Sequence, residues 1–482
     1  MEEHPNGFDP IAALLQDPKQ NETKPSPGPD KPAPEAEPDG LSPWRAFQSR
    51  TDYTQKENRR DCGIKLLAFF GVLILGFVIG CLWFLRPAFS EAEKRDLSAY
   101  PELTWNSFIS GEYTKAVSGW YADTYPLREP MIRVSQTLGA MHGIQTTLVK
   151  INERGDEIPD EPNAGPIDPD KVLESETGGE PVSPGGQTIN NLYVSGNTAY
   201  ELYMFNKATS DRYAAALNRA AASLSGKAAV YDLLVPLSYS VNLDPSVWKS
   251  LGASDAEAAM NYIYKGLSGV TSVPILDTLK EHRSEYLYFR TDHHWNAYGA
   301  YYAYVCFMQK LGLAPTPLSA YTDVRKLDGF LGTLYADAGR PAALEQDPDT
   351  ATVFRPISTN DIVHYDGDGA KYTTYGIVNG VSKSTNKYLA YLGGDFAYSE
   401  IHNPNKYDGS SILLVKESFG NALAPFLVDS FEYVYIVDYR YYTQMTLSQL
   451  VAEKQISTVL FVNNLVATSA SARVNELLRF IG

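Results

Sequence analysis

Residues 411–428 read Ser411-Ile-Leu-Leu-Val415-Lys416-Glu417-Ser418-Phe419-Gly420-Asn421-Ala-Leu-Ala-Pro-Phe-Leu-Val428. Ser411–Val415 has no polar face, so it fits a strand covered on both sides of a sheet. A turn follows at Lys416–Gly420, and Asn421–Val428 is predicted as a short helix. The same alternation continues on both sides of this stretch. Downstream, Glu432–Val437 and Thr458–Val462 read as strands, and Thr446–Glu453 and Ser471–Phe480 as helices. Upstream, Leu192–Ser195 and Ala199–Phe205 flank Gly196-Asn197, a hairpin signal. Ala228–Pro236 is a buried strand between helices Ser210–Leu224 and Ser254–Leu267. Ser254 and Glu257 stand in capping-box positions. Val273–Leu276 and Tyr286–Phe289 read as short strands, and Trp295–Leu311 as a helix. Residues 313–385 are loop-rich, with short strands near 361–363 and 372–378, and Lys387–Leu392 is strand-like. Strands alternating with helices predict an α/β fold with three layers, α/β/α, around a mainly parallel sheet.

The chain has 482 residues and a formal charge of −16. That charge argues against nucleic acid and anionic membrane surfaces as partners of the main domain. Of the three cysteines, Cys62, Cys81 and Cys306, only the last lies in the main domain, so no disulfide framework is expected there. Residues 1–60 are rich in charge and proline and read as a disordered tail, with a small apolar patch at Phe8–Leu15. Residues 64–85 are apolar almost throughout, which is the length of one transmembrane helix. Arg45, Arg50, Lys56, Arg59, Arg60 and Lys65 outnumber Arg86, Lys94 and Arg95, so the tail is expected in the cytosol and the rest outside. Residues 90–150 read as a helical lead-in: two short helices broken at Gly111, then a longer one from Pro126 to about His142. Residues 153–187 read as an acidic, exposed insertion, and the α/β domain as 190–482.

Working residues in such sheets lie at the carboxyl ends of strands. Two places there carry chemically capable side chains. One is Lys416–Asn421, with Ser418 on the turn. The other is Thr291-Asp292-His293-His294, after Tyr286–Phe289. A serine needs a neighbouring base to become a nucleophile, and Asp292 with a histidine supplies base and orienter. Free N–H groups at Phe419, Gly420 and Asn421 would hold an oxyanion. Arg290 is a candidate for an anionic or sugar group, and Asn463, at the end of another strand, for an oxyanion or substrate. The alternatives are plain: Ser418 as a helix cap, Asp292 as the cap of the helix from Trp295, or both histidines with Asp292 on a metal. No other histidine, cysteine or glutamate cluster stands at ligand spacing, and His142, His282, His364 and His402 are scattered.

The run Phe289-Arg-Thr-Asp-His-His-Trp-Asn-Ala-Tyr-Gly299 resembles the signature of the DHHW protein family, itself similar to the SGNH-hydrolase-like domains of alginate O-acetyltransferase proteins. Glu93–Leu97, Tyr100-Pro101, Ser110–Tyr113, Asp123–Arg128 and Leu392–Asp395 resemble further segments of that family. The resemblance implies Asp292 and His294 as catalytic, with His293 on a variable position, and Ser418 as nucleophile. Lys416-Glu417 stands where the resembled proteins carry Gly-Asp. Taken with the apolar span, the resemblance implies a membrane-anchored, extracytoplasmic O-acetyltransferase or acetylesterase acting on cell-surface glycan, and no metal or cofactor is expected. Proteins of the resembled alginate type work alongside a membrane acyl-carrier enzyme. A non-catalytic envelope protein that keeps the fold is the alternative.

Overall fold

The computed structural model of the chain describes residues 64–78, 86–87, 89–90, 95–97, 99–109, 112–126, 148–151, 154–159, 166–173, 191–367, 369–372, 376–380 and 384–482. It divides into two units, 1–79 and 80–482. In the first, residues 64–78 are helical, with exposed apolar side chains such as Leu67, Val72 and Phe77. This helix is about 22 Å long, and no helix among the described residues is long and apolar enough to cross a membrane. The remainder of the expected span, 79–85, lies outside the described residues. So do the tail 1–60 with its apolar patch, most of the helix expected after Pro126, and most of the acidic insertion.

The second unit is mixed α/β around an eight-stranded sheet. Its strands are β1 (Ala229–Val235), β2 (Val270–Ser272), β3 (Val363–Tyr365), β4 (Lys371–Tyr372), β5 (Tyr398–His402), β6 (Ser411–Lys416), β7 (Tyr433–Asp438) and β8 (Thr458–Asn464). Their order is β4-β3-β5-β7-β6-β8-β1-β2. The pairs β7/β6, β6/β8, β8/β1 and β1/β2 are parallel. The sheet is extended on one side by antiparallel β5, β3 and β4. Every residue of β6 and β8 is buried, as a strand covered on both faces must be. Helix Lys207–Ser223 packs with Ser471–Ile481 and Ala256–Lys265, and helix Ala297–Lys310 packs with Gly420–Leu427.

Several elements differ from expectation. Tyr286–Phe289 is not a strand of the sheet. It forms one arm of a tight return, with a single bridge from Tyr288 to Trp295. The strand expected at Val273–Leu276 lies earlier, at Val270–Ser272, and Leu276–Glu281 is helical. Lys387–Ala390 is a 3-10 helix. The loop-rich region holds an antiparallel pair, Val324–Phe330 with Asp349–Phe354, whose irregular register hides its period-2 pattern. Leu148–Ile151, in the region read as helical, pairs with Asn191–Ser195. Helix Ala256–Lys265 is capped by Asp255, whose carboxylate accepts from Ala258 N. Ser254 Oγ instead accepts from Phe205 N at 2.9 Å. Part of the acidic insertion is docked rather than loose: Asp156 N donates to Phe205 O, and Ile167 N to Gly266 O.

Candidate active site

The Asp-His-His segment is held by its neighbours, not by the sheet. Buried Asp349 accepts from Arg290 N (3.0 Å), Thr291 N (2.8 Å) and Thr291 Oγ1 (2.6 Å). Asn296 N donates to Leu287 O, and Asn296 Oδ1 caps the next helix by accepting from Tyr298 N at 2.9 Å. Asp292 is therefore free of the capping role and turns to the histidines. Its Oδ1 accepts from His294 N (3.0 Å) and His294 Nδ1 (2.6 Å). Its Oδ2 accepts from Thr333 N (2.9 Å) and Thr333 Oγ1 (3.1 Å). Gly332 lies against this carboxylate so closely that a Cβ there would collide with it. Burial alone would push the Asp292 carboxyl up. The two imidazoles and the hydrogen bonds from His294 and Thr333 outweigh it and hold the group well below the usual carboxylate range.

On the other side of the imidazole, His294 Nε2 lies 2.7 Å from Ser418 Oγ. Ser418 sits just past the carboxyl end of β6, where the chain turns into helix Gly420–Leu427. The His294 ring is stacked on Tyr388, centroids 3.9 Å apart, and Tyr388 OH donates to Ser418 O at 2.8 Å. Trp295 Nε1 donates to Phe419 O at 2.9 Å. With Nδ1 donating to Asp292, His294 presents an unprotonated Nε2 to the serine hydroxyl. That is the geometry of a serine nucleophile with a base and an orienter.

The adjacent histidines do different things. Thr333 Oγ1 gives its proton to Asp292, so it accepts from His293 Nδ1 at 2.6 Å. His293 Nε2 is then a bare, buried lone pair with no partner. Burial first, then the neighbouring His294, pushes its pKa down to about 3. Asp292, His293 and His294 also have ligand atoms within 4.8 Å of one another. The Asp292 oxygens and both His294 nitrogens are engaged in the hydrogen bonds above, which leaves His293 Nε2 as the one unused donor atom, too few for a closed metal site.

The expected oxyanion donors are all engaged. Phe419 N donates to Glu417 Oε2 (3.2 Å), Gly420 N to Glu417 O (3.0 Å) and Asn421 N to Ser418 O (3.1 Å). The Asn421 amide donates to Asp395 Oδ1 at 2.8 Å. Among the described residues nothing accepts the N–H of Ser418 itself. Arg290 is taken by Asp347 and Asp349, and Asn463 by Tyr439 OH (2.7 Å) and Tyr213 OH (3.1 Å). Asn463 is fully buried between those two hydroxyls, whereas partly exposed Arg290 is tied to fixed partners through three of its five N–H groups.

Sequence reasoning missed Thr333, Tyr388, Asp349 and the cluster under the serine turn. In that cluster buried Lys416 Nζ lies 2.9 Å from both Asp395 and Asp438, and Arg440 bridges the same two carboxylates at 2.8 and 2.6 Å. Burial would push Asp395 up, but Lys416 and Arg440 hold it far below its ordinary value. Asp395 lies in the Leu392–Asp395 segment singled out earlier; Arg440 carried no sequence signal.

Residues 93–168 and 162–437 match the family described as DHHW protein. A crystal structure of a DHHW family protein from Eubacterium siraeum is similar, at 27% identity and TM-score 0.55, over 62% of this chain and 98% of that one. PatB1 of Bacillus cereus is similar at 20% identity and TM-score 0.50, over 58% and 98%. The O-acetyltransferase domain of Pseudomonas putida AlgJ is more distant, at 11% identity and TM-score 0.30, over 58% and 96%. No curated protein matches. A match spanning 93–437, with the Asp-His-His-Trp motif inside it, places the chain in the DHHW protein family.

Proposed function

We propose that this protein transfers or hydrolyses acyl groups on carbohydrate hydroxyls, with Ser418 as nucleophile, His294 as general base and Asp292 as its orienter. The observation that carries this is the unbroken line Asp292 Oδ1–His294 Nδ1 (2.6 Å) and His294 Nε2–Ser418 Oγ (2.7 Å). Ser418 Oγ attacks the acyl carbonyl carbon as its proton passes to His294 Nε2. The bond to the donor oxygen breaks, and His294 returns the proton to that leaving group. An acceptor hydroxyl, of a sugar or of water, then gives its proton to His294 and attacks the acyl-enzyme; the bond to Ser418 Oγ breaks and His294 returns that proton to the serine. Acetyl as the group and surface glycan as acceptor follow from the family resemblance. The length of the apolar run 64–85 and the excess of Lys and Arg before it support a single anchor with the tail inside, and the resemblance supports a membrane acyl-carrier enzyme as the source of the acyl group.

A fluorophosphonate probe and p-nitrophenyl acetate test the reading. Wild type is expected to be labelled at Ser418, to release acetate, and to place O-acetyl groups on an added oligosaccharide. Equal labelling of wild type and Ser418→Ala sinks it. A second reading, a non-catalytic envelope protein, is favoured by the buried Ser418 and the engaged oxyanion donors. It predicts glycan binding with no labelling.

A further inference from the structure

The imidazole of His294 is buried among three rings. Tyr388 lies nearly parallel to it, with centroids 3.9 Å apart and planes 13° from each other. His293 lies 3.9 Å away at 35°, and Phe419 4.7 Å away at 49°. Tyr388 is buried, and its ring is pinned. Its hydroxyl donates to Ser418 O at 2.8 Å, and its N–H donates to Asn386 Oδ1 at 3.1 Å. Phe289 and Tyr391 meet the ring at 83° and 69°. The ring that Tyr388 faces is the one that must change charge when the Ser418 proton arrives. A buried imidazolium has lost most of its water, and the face of a phenol ring carries partial negative charge.

We propose that Tyr388 stabilises the transient His294 imidazolium through its π face, a cation–π contact that exists only while acyl transfer is under way. This rests on the serine reading above. Ser418 Oγ bonds to the acyl carbon as its proton moves to His294 Nε2. The positive charge therefore appears on a ring already stacked on Tyr388. It disappears when His294 passes the proton to the leaving oxygen. Asp292 meets that charge at Nδ1, in the plane of the imidazole, whereas Tyr388 meets it on the face. An interaction that strengthens only with the developing charge speeds the chemical step rather than binding. His293 can pack against the same ring because it is neutral, with Nδ1 donating to Thr333 and Nε2 bare. The remaining charged group that meets His294 is the carboxyl of Glu417, before the serine. Tyr388 makes no proton transfer of its own and keeps its hydroxyl on Ser418 O throughout.

A cation–π contact depends on the charge distribution of the ring and a packing contact on its shape, so fluorine separates the two. Fluorophosphonate labelling, which also drives the serine proton onto His294, is measured on the full chain. The variants are Ser418→Ala, Tyr388→Phe, Tyr388→Leu, and Tyr388→Phe made with mono-, di- and trifluorophenylalanine in place of phenylalanine. Tyr388→Phe removes the hydroxyl tether and is the baseline for the series. Each fluorine draws electron density from the π face at nearly constant shape. The labelling rate should fall stepwise, by about 10-fold at three fluorines, while the melting temperature stays level. Tyr388→Leu should label as slowly as the trifluoro variant, and the fluorine series tests the idea even if the leucine variant does not fold. Equal rates across the series, a fall that tracks the melting temperature, or Tyr388→Leu labelling at the Tyr388→Phe rate overturns this proposal alone. Labelling indifferent to Ser418→Ala overturns the serine reading and this inference with it.

Discussion

The indole N–H of Trp295 donates to the carbonyl of Phe419 at 2.9 Å, joining positions 124 residues apart. The residue after the base holds the residue after the nucleophile. Both rings also pack against each other, centroids 5.9 Å apart. Trp295→Phe should keep an aromatic ring against Phe419 but lose the tether and leave a cavity, because Trp295 is fully buried. The expected stability loss is about 1–2 kcal/mol from the unmade bond, with more from the cavity. The expected loss of Ser418 labelling is about 10-fold, because small misplacements of a nucleophile are costly. Thermal melts and labelling rates read the two effects separately.

Asp292→Asn should leave the fold in place and cut reaction at Ser418 by about 10³–10⁴-fold. The amide can no longer impose the tautomer that bares His294 Nε2. Acetate release from p-nitrophenyl acetate is the measurement. Activity within a few-fold of wild type would remove Asp292 from the mechanism.

Gly332→Ala places a Cβ against the Asp292 carboxylate. Either Asp292 or the 332–333 backbone must give way, and Thr333 N then leaves Asp292 Oδ2. We expect a loss of labelling comparable to that of Asp292→Asn, with a lowered melting temperature.

Lys416 is 1% exposed between Asp395 and Asp438. Lys416→Met leaves buried carboxylates with Arg440 as their remaining cation. A destabilisation of about 3–5 kcal/mol is expected from breaking such a network. Denaturant unfolding measures it.

His293 sets an acid limit on stability. The folded chain keeps it neutral down to about 3, whereas the unfolded imidazole protonates near 6.5. Between these values the unfolded state binds more protons. Stability is therefore full above about 6.5 and is lost as pH falls, by up to about 1.4 kcal/mol per pH unit. Asp292, whose folded pKa is depressed, adds a further loss only below the ordinary carboxylate range. His293→Asn should flatten the slope in the mildly acidic window and leave the lower one. Unfolding free energy measured across that range is the check.

The full chain in bacterial cells should sediment with membranes and resist carbonate extraction. Protease added to intact cells should digest residues beyond 86. Recovery in the soluble fraction would contradict the anchor proposed for 64–85.

The sequence by itself determined the central alternation. The apolar runs of β1, β6, β7 and β8 and the helices between them were legible because burial on both faces leaves a one-dimensional signature. Asp292, His294 and Ser418 were legible too, as side chains whose chemistry makes sense together. Their meeting was decided only by tertiary structure, since 124 residues separate His294 from Ser418 and spacing carries no information over that length. The same holds for the wrong parts. Tyr286–Phe289 has a strand's composition but pairs with its own return, and Lys387–Ala390 curls into a 3-10 turn that sets Tyr388 on His294. Phe419, Gly420 and Asn421 were sound candidates for an oxyanion site by position alone. Which N–H groups are free depends on where the Glu417 carboxyl and the local turns send their oxygens, and hydrogen bonds of that kind exist only once the chain has folded around them.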